Sequence, residues 1–218
     1  MSRGRAPILL VLAGSFNPPH LAHLRMLELA RDTLRAQSCT VLGGVMTPVH
    51  DLYRKKSLIP YTHRHTMVQL ATQNSWVKCS GWEGAQDAWS PTVKTLAALQ
   101  AQAREEYGEP GLVASLICGA DLLESFNVPG LWQDTDIENI LQNHGLIVVR
   151  RPGSDPEKFI FGHKICTKYV DKILIAEEEI TNDVSSTVLR KLAGEGNSIR
   201  YLTVDAVCDY VRDNKLYQ

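Results

Sequence analysis

Two stretches of this chain gather residue types that bind and activate phosphate. The first is Gly14-Ser15-Phe16-Asn17-Pro18-Pro19-His20-Leu21-Ala22-His23. Gly14 permits a sharp turn and close approach of a ligand to the backbone. His20 and His23 are three apart, so on the first turn of a helix they share a face. Imidazoles there can donate to phosphate oxygens beside the N–H groups and positive dipole end of the helix. The pattern is neither GxxxxGK[ST] nor GxGxxG. The second stretch is Asn182-Asp183-Val184-Ser185-Ser186-Thr187-Val188-Leu189-Arg190. Asn, Asp, Ser and Thr cluster there as a helix cap requires. Arg190 lies three after Thr187 and leans back over the same helix end, so hydroxyls, N–H groups and a guanidinium together make a triphosphate clamp. The bland alternative is a turn with incidental histidines and an ordinary cap. A zinc site at His20 and His23 lacks a third ligand nearby, so no residue is assigned to metal.

The elements that must position these stretches are legible as alternating strands and helices. Ile8–Ala13 is continuously apolar, as a strand buried on both faces requires. Leu24, Leu27, Ala30 and Leu34 then recur at helical spacing. Further strands are predicted at 40–46, 77–80, 112–118, 145–150 and 172–176. Helices are predicted at 62–72, 91–107, 136–143, 185–192 and 203–212. This alternation implies βαβ units and an α/β fold: a doubly wound, mostly parallel, Rossmann-like sheet with ligands at the carboxyl ends of its strands. One domain over 1–218 is expected, with the helical part from about 183 to 218 packed on the same core.

Composition narrows the function classes. The 218 residues carry 23 Lys+Arg against 24 Asp+Glu, a net charge of -1, with no basic excess for a nucleic-acid partner. No apolar run approaches a membrane span. Five cysteines, at 39, 79, 118, 166 and 208, form no CxxC pair, which argues against a disulfide framework or a thiolate zinc site. Reduced thiols fit a cytoplasmic protein, with the nucleus or an organelle open.

The segment GSFNPPHLAHLRMLELARD, with VSSTVLRKL downstream, resembles the nucleotidylyltransferase superfamily, and more narrowly the eukaryotic nicotinamide/nicotinic acid mononucleotide adenylyltransferases. The likeness continues through Thr47–Ile59, Trp82-Glu83, Trp89-Ser90-Pro91-Thr92, Cys118–Phe126, Pro129–Trp132 and Ser198–Leu202, so it covers almost the whole chain. His20 stands where many eukaryotic members carry Thr.

The resemblance implies transfer of AMP from ATP to nicotinamide mononucleotide or nicotinic acid mononucleotide, giving NAD or its deamido form and pyrophosphate. It implies Mg²⁺ held mainly through the ATP phosphates, and a homo-oligomer. By the same likeness, His23, His20, Lys55 and Arg190 carry catalysis. ATP is met by Gly14, Ser15, Phe16, His23, Asn182 and Ser186-Thr187-Val188-Leu189-Arg190. The mononucleotide or NAD is met by Gly14, Ser15, Tyr53, Lys55, Trp89, Thr92, Gly119, Asp121, Leu131, Trp132 and Glu178. The competing readings are another small-molecule nucleotidylyltransferase, of pantetheine-phosphate or cytidylyl type, and a non-catalytic, chaperone-like nucleotide binder.

Overall fold

A computed structural model describes residues 6–53, 57–151, 153–180 and 182–218. Its elements alternate as expected. Strands β1 (Ile8–Gly14), β2 (Val41–Pro48), β3 (Val77–Cys79), β4 (Val113–Gly119), β5 (Leu146–Val149) and β6 (Ile173–Ala176) form one sheet in the order β3-β2-β1-β4-β5-β6. This is the doubly wound order, with its switch point between β1 and β4. The ladders from β1 to β4, β4 to β5 and β5 to β6 are parallel, with Val11 opposite Leu116 and Ile117 opposite Ile147. Leu9 to Leu12 of β1 are all buried, which explains a strand with no polar alternation.

The helices are α1 (Leu21–Ala36), α2 (Tyr61–Thr72), α3 (Thr92–Tyr107), α4 (Ala120–Glu124), α5 (Asp134–Asn143), α6 (Pro156–Gly162), α7 (Ser186–Gly194) and α8 (Asp205–Asp213). The long ones match the periodic segments. α1 buries Leu27, Ala30 and Leu34 on one face. α3 ends at Gly108, whose left-handed backbone (φ 65°) returns its N–H to Arg104 and Glu105 carbonyls. Two short helices escape periodicity because each has under two turns. α4 follows directly on β4, and α6 is capped by Asp155, whose carboxylate accepts from Lys158 N–H. The last helix begins at Asp205 rather than 203, because Val204 before it holds an extended backbone (φ −72°, ψ 150°), while the Thr203 hydroxyl donates to the Pro19 carbonyl at 2.8 Å.

Close contacts gather the chain into two compact units. One takes the chain up to Leu12, Met26–Gly44 and Pro91–Thr181; the other takes Ala13–Arg25, Val45–Ser90 and Asn182–Gln218. The first has its core in Leu10, Leu27, Leu116, Ile117, Ile140 and Val148. In the second, Met67 and Ala71 of α2 pack with Leu189 of α7 and Val207 and Val211 of α8.

Within the second unit, the turn Glu83–Ala85 packs closely against the Tyr61 ring at Gly84. A Cβ on Gly84 would stand 2.1 Å from one ring carbon and 2.2 Å from the next. Gly84→Ala is therefore expected to destabilise the protein by about 1–3 kcal/mol, seen as an earlier midpoint in urea unfolding.

Candidate functional site

The loop after β1 is held from outside by its carbonyls. Gly14 O accepts from Val49 N–H at 3.0 Å, and Ser15 O from the Arg64 guanidinium at 3.2 Å. Asn17 O accepts from Arg190 at 2.9 Å, and Pro18 O from the Ser186 hydroxyl at 2.8 Å. Pro19 O accepts from Thr203, and His20 O from His23 N–H at 2.9 Å. The negative ends of these peptide dipoles thus face the protein, the arrangement an anion-binding turn requires. Packing at Gly14 is tight as well: a Cβ there would stand 3.1 Å from the Phe16 ring, which would have to give way slightly. Phe16 is buried with a left-handed backbone (φ 45°), a strained state for an aromatic residue.

The two histidines meet as the spacing predicts. Their rings stack with centroids 3.6 Å apart, and His23 also takes an edge contact from Phe16 at 5.0 Å. His20 is buried, and its backbone N–H donates to His23 Nδ1 at 3.1 Å. That bond makes Nδ1 the acceptor of a neutral His23 and leaves Nε2–H as its donor. A donor of fixed identity suits a phosphate oxygen. The Leu21 N–H at the start of α1 already donates to Leu202 O at 3.1 Å. The side chains therefore matter more than that helix end.

The second stretch closes on the first. Ser185 caps α7 by accepting from Val188 N–H at 3.3 Å, and Asn182 accepts from Val184 N–H at 3.0 Å. Arg190 reaches back to the Thr187 hydroxyl at 3.2 Å and to Asn17 O. His23 and Arg190 are thereby fixed to one loop, the first by His20 and the second by Asn17. Leu189 is different: its side chain is buried among Met67, Val207 and Val211, so only its backbone can meet a ligand.

Tyr53 and Trp89 lie ring to ring at 6.3 Å, with Trp89 exposed. Lys55 lies outside the described residues. In the other unit, Gly119 ends β4 and Asp121 sits in the first turn of α4. A Cβ on Gly119 would stand 2.5 Å from the Asp121 carboxylate and 3.1 Å from Arg151, which pairs with Asp121 at 3.9 Å. Trp132 is fixed edge-on against Phe126 at 5.1 Å, and its indole N–H donates to Ser125 at 3.0 Å. Leu131 beside it is exposed, Thr92 opens α3, and Glu178 accepts from Ile180 N–H at 3.2 Å.

Sequence reasoning missed two supporting residues. Arg64 is wholly buried; it donates to Ile59 O at 2.9 Å and Ser15 O, and pairs with Asp51 at 2.9 Å. Its signal was a charge three and four residues before Met67 and Val68, on the apolar face of α2. Glu83 is buried and accepts from the Thr47 hydroxyl at 3.0 Å. The thiols of Cys79 and Cys166 are pushed up by burial to about 12 and about 11, which disfavours them as nucleophiles.

A doubly wound sheet whose β1 turn carries two imidazoles and is held by the Arg190 guanidinium of α7 has the layout of a nucleotide-binding α/β protein. The sequence profile of the cytidylyltransferase-like family matches residues 11–192. Arabidopsis thaliana nicotinamide/nicotinic acid mononucleotide adenylyltransferase is 39% identical over 96% of this chain and 90% of its own. The Bos taurus enzyme 1 of that name is 36% identical over 98% and 89%. Drosophila melanogaster nicotinamide-nucleotide adenylyltransferase is 41% identical over 96% of this chain, which spans 61% of that relative. The chain belongs to the cytidylyltransferase-like family and, within it, to the nicotinamide/nicotinic acid mononucleotide adenylyltransferases. The fold agrees with Plasmodium falciparum nicotinic acid mononucleotide adenylyltransferase complexed with NaAD, at TM-score 0.72, 20% identity and 97% coverage of both chains. Among the described residues no helix is long and apolar enough to cross a membrane.

Burial raises the Glu83 carboxyl from 4.5 to about 7, against the opposing pull of Thr47, the His50 backbone and Arg64. The folded state therefore binds the proton more tightly than the unfolded one. The contribution of Glu83 to stability is full below about pH 4.5, is lost as pH rises to about 7, and is absent above that. The change is on the order of 3 kcal/mol. Thermal melts of Glu83→Gln across that range should lose this slope.

Proposed function

We propose that this chain joins nicotinamide mononucleotide, or nicotinic acid mononucleotide, to the AMP part of ATP. The 5′-phosphate of the mononucleotide attacks the α-phosphorus of ATP. A new P–O–P bond forms, the α–β bond breaks, and pyrophosphate leaves. The products are NAD or its deamido form. The relatives named for both mononucleotides support the substrate pair. The observation that carries the mechanism is the fixing of His23 and Arg190 to one loop.

No protein nucleophile is needed. Two anions must be aligned and the charge of the departing pyrophosphate absorbed. In our reading His23 Nε2–H and the Arg190 guanidinium hold the polyphosphate, with Thr187 and the backbone of 186–189 beside them. His20 orients His23 through its N–H and its ring. Gly14, Ser15 and Phe16 shape the turn on which ATP lies. Lys55 adds a cation near the transferring phosphate, and Asn182 borders the adenine side. Tyr53, Trp89 and Thr92 meet the nicotinamide end, and Trp132 stacks on its ring, bordered by Leu131. Gly119, Asp121 and Glu178 meet the ribose and adenosine part.

The groups around the loop are imidazoles, a guanidinium and hydroxyls, a donor set unsuited to caging a hard cation. They fit Mg²⁺ that arrives on the phosphates, where it would screen their charge. The cytoplasm is the compartment we assign, supported by five cysteines, none of them in a disulfide. The family resemblance adds a homo-oligomer.

Pyrophosphate release from ATP should be strong with either pyridine mononucleotide and absent with phosphopantetheine. A preference for phosphopantetheine would overturn the substrate assignment. His23→Ala should lower kcat by about 10²–10³-fold while the unfolding midpoint holds. Near-normal turnover would remove His23 from the mechanism.

A further inference from the structure

The Asn17 side chain ties the phosphate loop to two remote parts of the chain. Asn17 is buried, and its amide donates to Ser57 O at 2.7 Å. Its Oδ1 accepts from the Tyr217 hydroxyl at 3.0 Å, a contact spanning 200 positions. The carbonyl of the same residue holds Arg190. Tyr217 thus stands one hydrogen bond from the residue that aims Arg190.

Three features fix Tyr217 in place. Its backbone is left-handed (φ 69°), unusual for a residue with a bulky side chain. Its carbonyl fits against α7 so closely that a Cβ on Gly194 would stand 2.8 Å from it. Its ring and Leu216 pack on the cluster around Leu189 and Val211. Burial pushes the phenol up, although Arg190 and Arg64 are near enough to pull it the other way. The hydroxyl therefore stays protonated and remains a donor. A backbone held in an uncommon state by its surroundings is the kind of outlier that accompanies functional sites.

We infer that Tyr217 is a positioning residue for the phosphate loop: its hydroxyl locks the Asn17 side chain, and Asn17 O in turn sets the guanidinium of Arg190. The inference rests on the reading that Arg190 meets the polyphosphate. Tyr217→Phe removes one hydroxyl and keeps the ring in the apolar cluster. Tyr210→Phe is the control: it removes a hydroxyl of α8 that bonds His63 of α2 at 3.0 Å rather than a residue of the loop.

The experiment measures ATP affinity by calorimetry, kcat, and KM for each substrate, in the full chain. Tyr217→Phe should weaken ATP binding and lower kcat about three- to tenfold. KM for the mononucleotide and the unfolding midpoint should hold, and Tyr210→Phe should match wild type. In an Arg190→Lys background, Tyr217→Phe should change kcat less than about twofold, since the two act in series. Unchanged ATP affinity in Tyr217→Phe would overturn the inference whatever the turnover. So would a full, multiplicative loss in the Arg190→Lys background. Wild-type protein that binds ATP but turns over neither mononucleotide would instead overturn the transfer reading, while ATP affinity still decides the role of Tyr217.

Discussion

The site depends on where the loop between β1 and α1 sends its carbonyl oxygens. A turn that accepts a polyphosphate must not present these oxygens to it, because each is the negative end of a peptide dipole. Here the oxygens of Gly14, Ser15, Asn17, Pro18, Pro19 and His20 are each engaged by a donor. Four of those donors are side chains: Arg64, Arg190, Ser186 and Thr203. Two of the loop residues are prolines, which have no N–H to offer. The loop is therefore defined less by its own hydrogen bonding than by a ring of outside donors, and Phe16 holds a strained backbone because that ring over-determines it.

Arg64 is the most exacting of these donors. A buried guanidinium is tolerable only when its N–H groups are satisfied and its charge is opposed. Ile59 O, Ser15 O and Asp51 meet both conditions. Asp51 is half-exposed and so screened by water; the two carbonyls do most of the fixing. The same guanidinium ties the β1 loop to the segment after β2. This segment carries Asp51 and Tyr53, and Tyr53 in turn lies against Trp89. One side chain on α2 thereby sets the positions of residues assigned to both substrates.

Much of this was legible in the sequence, for definite reasons. Long helices and doubly buried strands carry strong periodic or apolar signals, so β1, α1, α3 and β4 fall close to their expected bounds. α4 and α6 are too short to show a period. The pairing of His20 with His23 followed from their spacing, and the reach of Arg190 to Thr187 from theirs. What spacing cannot reveal is a partner far away in the chain. Ser186 was expected at a phosphate, yet its hydroxyl donates to Pro18 O. Leu189 was expected at ATP; its side chain lies on the apolar stripe of α7 and is buried, which leaves only its backbone for that role. Tyr217 gave no sign at all, because its contact with Asn17 exists only after α7 and α8 have packed on α2.

These contacts bear on how such a site can work without a covalent intermediate. If catalysis is positional, its free energy lies in groups that are already oriented before the substrate arrives. His23 fits that requirement because the His20 N–H selects its tautomer. Arg190 fits it because Asn17 O and Thr187 hold two of its nitrogens and restrict the freedom of a long side chain. Each group that would touch phosphate is thus oriented by a neighbour in the same loop or helix. That loop is oriented in turn by buried Arg64 of α2 and by partly buried residues of α7 and the segment after α8. Geometry at the phosphates is then a property of the packed unit rather than of the motif, which is why a motif of ten residues needs supporting residues two hundred positions away.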